Sequence, residues 1–383
     1  MPTLMTVLLC ILGASAVGAL LWLRRSPGKA ETAPQAQAEA TPRVRTAIQS
    51  FSANTGQAEA EAETAADASP VLPTALQSFV LLRTDTADTP TPQTLLELAD
   101  ALPEPHAMFL QVTRELDDID EITAAVKNEP ALAADVLRTV NSAAFGLTTP
   151  ISSVHHAIAY LGVSYVKGLI AQSALARTLP ASTPGSDQET AMHRLWKSSQ
   201  IASASAFLLA RNLGVENPSV VSTQALLANL GDINLVSLRP ELAHLYAPKV
   251  SLLERVQGQQ AELGANSAML AGLLAERWGL PGTIKGTLDL SLLPLTVPPD
   301  EHPLHGGDLA AATVVYLAGR IGDAAVFGGL QYIVELPLDD GRPVELHYLP
   351  EYLEAAALQR LHASLQDNAT RRALNRILAA ARS

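Results

Sequence analysis

Residues 128–162 constrain the fold of this chain more than any other stretch. They read NEPALAADVLRTVNSAAFGLTTPISSVHHAIAYLG. Pro130 suits the first turn of a helix, where the N–H that proline lacks would have no intrahelical partner. Four residues then recur at helical spacing, so one face of this segment is apolar: Leu132, Val136, Leu137 and Val140. The segment predicts a helix that packs into a core.

The chain then turns back on this first helix. Asn141 and Ser142 end its apolar face, and both side chains can satisfy backbone groups at a helix end. Ser152 or Ser153 can cap a second helix, which Gly162 ends. The alternative to a local structural role for Asn141 and Ser142 is the binding of a peptide or a small signalling molecule.

Signature residues in this stretch resemble those of the HD-related output domain (HDOD) family, a bacterial all-α signalling module related to the metal-dependent HD phosphohydrolases. They are Glu129, Pro130, Asn141, Ser142, Phe145, Gly146, Leu161 and Gly162. The resemblance covers roughly residues 102–291, and Glu129 stands where the family usually has aspartate. It implies an all-α, multi-helix HD-like bundle in which these residues have structural or partner-binding roles.

The HD phosphohydrolases hold a metal ion through histidine and aspartate side chains, and the metal-bound water attacks a phosphoester. The resemblance places the matching ligand positions at Ser198, Ala228, Asn229 and Ser267. Alanine has no ligand atom, and serine and neutral asparagine are weak ligands. The resemblance therefore implies a domain without a metal, a cofactor or catalytic residues, which is typical of the HDOD family.

Histidine pairs elsewhere in the chain are weak candidates for a metal site. His155 and His156 are adjacent, so their side chains point about 100° apart on a helix and cannot chelate one ion together. We expect one of them to be exposed and the other packed. His302 and His305 lie in a proline-rich connection, which predicts a solvated loop.

Composition limits the possible partners and the class of fold. Of 383 residues, 48% are hydrophobic and only 4% aromatic, which fits close-packed helices rich in alanine and leucine. The formal net charge of −12 argues against nucleic acid as a main partner. Cys10 is the only cysteine, so no disulfide framework can form within one chain.

The N-terminal segment predicts a membrane anchor over residues 1–26. Residues 4–23 carry no charge and are long enough to span a bilayer. Arg24, Arg25 and Lys29 follow this span and no basic residue precedes it, so the positive-inside rule places the following chain in the cytoplasm. A cleaved signal peptide is the alternative, although such a peptide carries its positive charge in front.

The rest of the chain divides by composition. Residues 27–70 are rich in alanine, glutamate and proline, which predicts a disordered linker. Residues 71–291 form the predicted helical domain, and residues 292–383 a helical extension. Two β-like runs near residues 331–348, separated by residues 339–341 (Asp-Asp-Gly), predict a small C-terminal β-hairpin.

Capping residues place several further helices. We expect a helix over residues 119–127 capped by Asp118, a helix over residues 165–179 capped by Ser164, and a long helix over residues 188–213.

These features together predict a non-catalytic regulatory module of bacterial signal transduction, held at the inner membrane with its C-terminal domain in the cytoplasm. Its expected partners are unidentified signalling proteins and, through the N-terminal helix, the membrane, but not nucleic acid. A residual HD-type phosphohydrolase acting on a nucleotide is one alternative, and it would need metal ligands elsewhere in the chain. A purely structural membrane-associated scaffold is the other.

Overall fold

Helices make up the architecture of the chain wherever the structure describes it. In the computed structural model the described residues are 72–84, 91–114, 118–141, 147, 149–339 and 341–380. No β-strand occurs among them, and the described part belongs to one compact unit. The all-α prediction is confirmed there. The predicted anchor at residues 1–26 and the linker at residues 27–70 lie outside the described residues.

Eighteen α-helices follow one another along the described residues. The first seven are α1 (Thr74–Gln77), α2 (Gln93–Ala101), α3 (Ala107–Arg114), α4 (Ile119–Lys127), α5 (Pro130–Val140), α6 (Val154–Leu161) and α7 (Val163–Thr178). The next six are α8 (Asp187–Leu213), α9 (Pro218–Leu227), α10 (Leu230–Leu238), α11 (Leu252–Leu263), α12 (Ser267–Arg277) and α13 (Gly282–Asp289). The last five are α14 (Leu293–Thr296), α15 (Gly306–Val326), α16 (Leu349–Ala355), α17 (Leu361–Gln366) and α18 (Asn368–Ala380). A 3₁₀ helix over Pro240–Tyr246 separates α10 from α11, and another lies at Pro299–Glu301.

Local sequence signals account for the ends of α4, α5 and α6. The Asp118 carboxylate accepts hydrogen bonds from two backbone N–H groups of α4, which confirms its predicted role as a cap. Pro130 begins α5, in which the predicted apolar residues Leu132, Val136 and Val140 are buried and Leu137 is half-buried. The Ser153 hydroxyl accepts a hydrogen bond from the backbone N–H of His156 at the start of α6.

The predicted cap at Ser164 is wrong. Gly162 has a backbone φ of 89°, a conformation that side chains with a Cβ rarely adopt, and it both ends α6 and precedes α7. Helix α7 therefore begins at Val163, with Ser164 already inside its first turn.

The long helix α8 joins two apolar cores. Ser186 caps its start, and Gly214 ends it in the left-handed region with φ 77°. The N-terminal half, including Leu195, packs into a first core that is formed mainly by α2–α7, α10, α12 and α13. Its C-terminal half, including Ile201 and Leu209, packs into a second core with α11, α15, α16 and α18. Helix α8 is therefore shared by the two cores.

The predicted β-hairpin near residues 331–348 is wrong. The two runs form short 3₁₀ helices at Ile333–Glu335 and Val344–Leu346. Their backbone groups bond to side chains of other elements: the N–H of Ile333 donates to Asn375 (2.9 Å), and Tyr316 donates to the carbonyl of Glu345 (2.5 Å). Tertiary contacts with the second core thus replace a strand ladder.

Among the helices of the described residues, α15 is long and apolar enough to cross a membrane, judged by length and composition alone. Within its most apolar window, 67% is buried inside the protein. This helix packs against α8 and α9 as part of the second core.

Candidate functional site

Asn141 closes the connection between α5 and α6. Its side-chain amide donates to the carbonyls of Leu137 (2.9 Å) and Ile151 (2.8 Å), and its side-chain oxygen accepts from the N–H of Ile151 (2.7 Å). Every polar atom of the side chain is thus bonded to backbone groups at both ends of the connection. This geometry favours the structural role for Asn141 over a binding role.

The other signature residues that the structure describes lie at the ends of helices. Glu129 precedes α5 without a side-chain capping bond, and its carboxylate lies 4.0 Å from the His106 imidazole. Pro130 is the first residue of α5, and the Leu161–Gly162 pair joins α6 to α7. Ser142, Phe145 and Gly146 lie outside the described residues.

The positions that match metal ligands meet where α8, α9, α10 and α12 come together. Ser198 is fully buried on α8, Ala228 ends α9, Asn229 precedes α10, and Ser267 begins α12. The Asn229 amide donates to the Ser199 hydroxyl (3.1 Å). The fold therefore does bring the predicted positions to one region.

Helices α10 and α12 are in direct backbone contact in this region. A Cβ atom added at Gly231 would lie 1.8 Å from the carbonyl oxygen of Ser267. Only glycine permits two helix starts to approach this closely. A ligand-sized space therefore does not exist between Gly231 and Ser267.

Charged residues from outside the predicted set surround Ser198. Its hydroxyl donates to one carboxylate oxygen of Asp323 (2.7 Å). The other oxygen of Asp323 forms ion pairs with the guanidinium groups of Arg255 and Arg320, the latter at 3.1 Å. Arg255 is only 3% exposed, and its guanidinium stacks over the ring of Phe327, 4.8 Å from the ring centre.

A second set of hydrogen bonds leads from Ser267 to a buried carboxylate. The N–H of Ser267 donates to the side-chain oxygen of Gln259 (2.8 Å). The Gln259 amide and the Tyr246 hydroxyl both donate to one oxygen of Asp232, at 2.9 and 2.7 Å. Arg255 lies over the Tyr246 ring at 5.8 Å and connects the two sets. We call these eight residues the inner polar cluster: Ser198, Asp232, Tyr246, Arg255, Gln259, Ser267, Arg320 and Asp323.

The charges of the inner polar cluster balance. Burial alone would raise the pKa of Asp323, but Arg255, Arg320 and the Ser198 hydrogen bond outweigh it and hold this pKa below its ordinary value. Burial lowers the pKa of Arg255, but Asp323 and Asp232 outweigh it, so that this pKa is raised. Two arginines thus lie with two aspartates in a region that is largely buried.

The residues present do not fit a divalent metal ion. The buried atoms of the inner polar cluster without a hydrogen-bond partner are the Nε atoms of Arg255 and Arg320, which are donors in cationic groups and cannot ligate a metal. A second cation beside Arg255 would be repelled at low dielectric constant. Over the described ranges, no group of three or more histidine, cysteine, aspartate or glutamate side chains has the spacing of a metal site.

The predictions for the histidines are only partly correct. His155 and His156 are both exposed, because the turn of α6 that carries them faces solvent, so the expectation that one is packed is wrong. His302 is buried rather than solvated: its Nδ1 accepts from the N–H of Leu304 (3.1 Å), and its ring meets the edge of Tyr352. His305 is exposed, as expected.

Comparison with known proteins agrees with the fold and with the signature stretch. Residues 102–289 match the sequence profile of the HDOD domain. Residues 102–289 are an HDOD domain. The HDOD domain thus ends with α13, and both Arg320 and Asp323 of the inner polar cluster come from the chain that follows it.

Individual relatives are distant. An uncharacterized protein of Treponema pallidum (strain Nichols) is 24% identical over 223 residues, which cover 54% of this chain and 40% of that protein. The chain therefore spans less than half of the length of this curated relative. A proposed signal-transduction protein from Marinobacter aquaeolei has a similar fold, with a TM-score of 0.51 and 20% identity over 75% of this chain and 64% of that one. A proposed phosphohydrolase from Shewanella amazonensis has a TM-score of 0.49 at 18% identity, covering 76% of this chain and 99% of that one.

The sequence interpretation missed the charged members of the inner polar cluster. Arg320 and Asp323 lie three residues apart in a helix that is otherwise almost free of charge, which is a signal that both are paired inside the protein. Nothing local links them to Ser198 or to Arg255, because these lie on other helices.

Proposed function

We propose that this protein is a non-catalytic regulatory module of bacterial signal transduction that acts by binding partner proteins through its HDOD domain. The inner polar cluster is the observation that carries this proposal. The positions that would hold a catalytic metal in an HD phosphohydrolase are Ser198, Ala228, Asn229 and Ser267. Their surroundings contain the internal cation Arg255 and the Asp323 carboxylate already paired with it, so the region stabilises the fold rather than activating water.

Membership of the HDOD domain family supports the signalling part of the proposal. The domain is one whose relatives include a protein described as a proposed signal-transduction protein. Binding of partner proteins requires no metal ligand at the four positions, which explains how two serines, an alanine and an asparagine are compatible with function there.

Elemental analysis combined with a turnover assay tests the proposal. We expect the purified protein to contain no stoichiometric transition metal and to hydrolyse cyclic dinucleotides and other nucleotides no faster than a protein-free control. The reason is that hydrolysis of this type requires a metal to lower the pKa of water, and these side chains cannot hold one. About one metal ion per chain, with turnover that a chelator abolishes, would overturn the non-catalytic assignment in favour of a phosphohydrolase.

We further propose that residues 1–26 anchor the protein in the inner membrane with the HDOD domain in the cytoplasm. Arg24, Arg25 and Lys29 support this orientation, because basic residues favour the cytoplasmic side of a span. A reporter enzyme that is active only in the periplasm, fused after Ser383, is expected to be silent, and a cytoplasm-dependent fluorescent reporter at the same place to be bright. The reverse pattern, or a mature chain beginning near Val17, would contradict the anchor.

A further inference from the structure

A cavity of about 590 Å³ opens where the end of α8 meets α17 and α18. Its polar lining includes Arg211 from the last turn of α8, Arg360 just before α17, and Arg376 from α18. Three arginines from three separate elements thus line one cavity. The size lies within the range of binding sites for small molecules, roughly 300–1,000 Å³.

These three arginines have no partner inside the described part of the chain. All three are exposed, and none forms an ion pair or a side-chain hydrogen bond there. Several other arginines of this acidic protein are paired with carboxylates: Arg138 and Arg177 with Asp135, Arg239 with Glu241, and Arg277 with Asp100. The three arginines of the cavity differ from these in leaving their charges without an acidic partner among the described residues.

Asp367 is the acidic residue in the lining, and it does not neutralise the arginines. One of its carboxylate oxygens accepts hydrogen bonds from the N–H (2.8 Å) and from the hydroxyl (3.0 Å) of Thr370. The Asp367 side chain thereby caps the start of α18. These hydrogen bonds lower the pKa of Asp367, so the group is charged at neutral pH. Three positive charges and one negative charge leave a local excess of two positive charges, in a chain whose net charge is −12.

The cavity is held together by contacts that do not use the arginines. The Asn212 amide donates to the Thr370 hydroxyl (2.9 Å), which fixes α18 against α8. Apolar side chains, including Leu208 and Ala373, form part of the remaining wall. The arginine side chains can therefore turn toward a ligand without breaking the packing that forms the site.

We propose that this cavity binds a small organic phosphate through Arg211, Arg360 and Arg376. A phosphate ester carries a charge of about −1.5 to −2 at neutral pH, which matches the local excess of positive charge. The planar guanidinium donates two parallel hydrogen bonds to phosphate oxygens, a geometry that lysine does not provide. A free phosphate ion is far smaller than the cavity, and the apolar wall can contact the organic part of the ligand.

Calorimetric titration of the full-length protein tests this site. The probes are adenosine 5′-monophosphate, adenosine 5′-diphosphate and, as a carboxylate of comparable charge, citrate. We expect saturable binding of the two phosphates, tighter than that of citrate. The substitutions Arg211→Gln, Arg360→Gln and Arg376→Gln should each weaken phosphate binding by about tenfold or more, because each removes charge-assisted hydrogen bonds.

Arg371→Gln is the matched control, since Arg371 is exposed on α18 and donates to Asn368, and it does not line the cavity. It is expected to leave the affinity unchanged. Circular dichroism checks that each variant keeps its helical content, which is expected because the substituted side chains are exposed. Three results would each overturn the proposal. They are the absence of saturable phosphate binding at millimolar concentration, wild-type affinity for phosphate in the three glutamine variants, and binding of citrate as tight as that of the phosphates.

Discussion

Asp323 is the single residue on which the charge balance of the inner polar cluster depends most. It is buried on α15 and contacts Ser198, Arg255 and Arg320. Arg255 has no comparable direct ion pair with another acid among the described residues. Removal of the Asp323 charge therefore leaves a buried cation without its main partner, which costs more than an ion pair gains at a protein surface.

The substitution Asp323→Asn is expected to lower the free energy of unfolding by about 3–5 kcal/mol at pH 7, because an uncompensated arginine remains in the core. Urea unfolding followed by circular dichroism measures this change. Asp308→Asn is the control: Asp308 lies on the same helix but is exposed, and its loss should cost less than about 1 kcal/mol. Equal effects of the two substitutions would show that the Asp323 ion pairs contribute little.

The Asp323→Asn variant also tests how much Asp323 contributes to the loss of stability at acidic pH. Because the pKa of Asp323 is held below its ordinary value in the folded state, its stabilisation is present above that ordinary value, about pH 4, and is lost as the pH falls through the depressed pKa. As the pH is lowered from about 5 to about 2, the urea concentration at the unfolding midpoint should therefore decrease more steeply for the wild type than for Asp323→Asn. Parallel pH profiles would contradict the depressed pKa.

At the scale of elements, the contact between α8 and α15 joins the HDOD domain to the chain that follows it. These helices approach so closely that a Cβ atom at Gly322 would lie 2.5 Å from the carbonyl oxygen of Ser198. Close approach places the Asp323 carboxylate beside Ser198, at 2.7 Å. The packing of these two helices thus creates the part of the inner polar cluster that contains Ser198 and Asp323.

Two alanine substitutions on α15 test this close approach. Gly322→Ala should destabilise the protein by about 1–3 kcal/mol, because the added methyl group meets backbone that cannot move independently. Gly319→Ala, three residues earlier, meets no atom within 4 Å and should be neutral or stabilising by up to about 1 kcal/mol. Thermal unfolding of both variants decides the question, and a neutral Gly322→Ala would mean that the helices lie further apart.

At the scale of the whole molecule, the HDOD domain does not form a closed unit by itself. Its match ends at residue 289, yet the second core combines its helices α8, α9 and α11 with α15, α16 and α18 beyond that point. Removal of the later helices would expose this apolar surface and remove both Arg320 and Asp323. The extension is therefore part of the structure of the domain in this protein rather than an independent appendage.

A fragment of residues 72–291 is expected to precipitate or to unfold without a cooperative transition, whereas residues 72–383 should unfold cooperatively. The physical reason is the exposure of the second core together with the loss of the main partner of Arg255. Urea unfolding and light scattering of the two fragments provide the comparison. A cooperative transition of the short fragment at the midpoint of the long one would show that the HDOD domain is autonomous.

Much of the helical framework was predictable because its signals are local. Asp118 caps the helix that follows it within one turn, Gly214 ends α8, and Pro130 begins α5. Such effects depend on backbone angles and on hydrogen bonds between residues a few positions apart, which the order of residues already contains. The resemblance to the HDOD family rests on signals of the same local kind.

The sequence by itself therefore determined the all-α character and several helix ends, and it predicted side chains that ligate a metal weakly or not at all at the four candidate metal positions. The tertiary structure decided the rest. The runs near residues 331–348 have the alternation of strands, but contacts with the second core select 3₁₀ helices instead. Ser198 and Asp323 are 125 residues apart, and only the packing of α8 on α15 brings them together, because a long-range pair depends on how the whole chain closes and not on its neighbours in sequence.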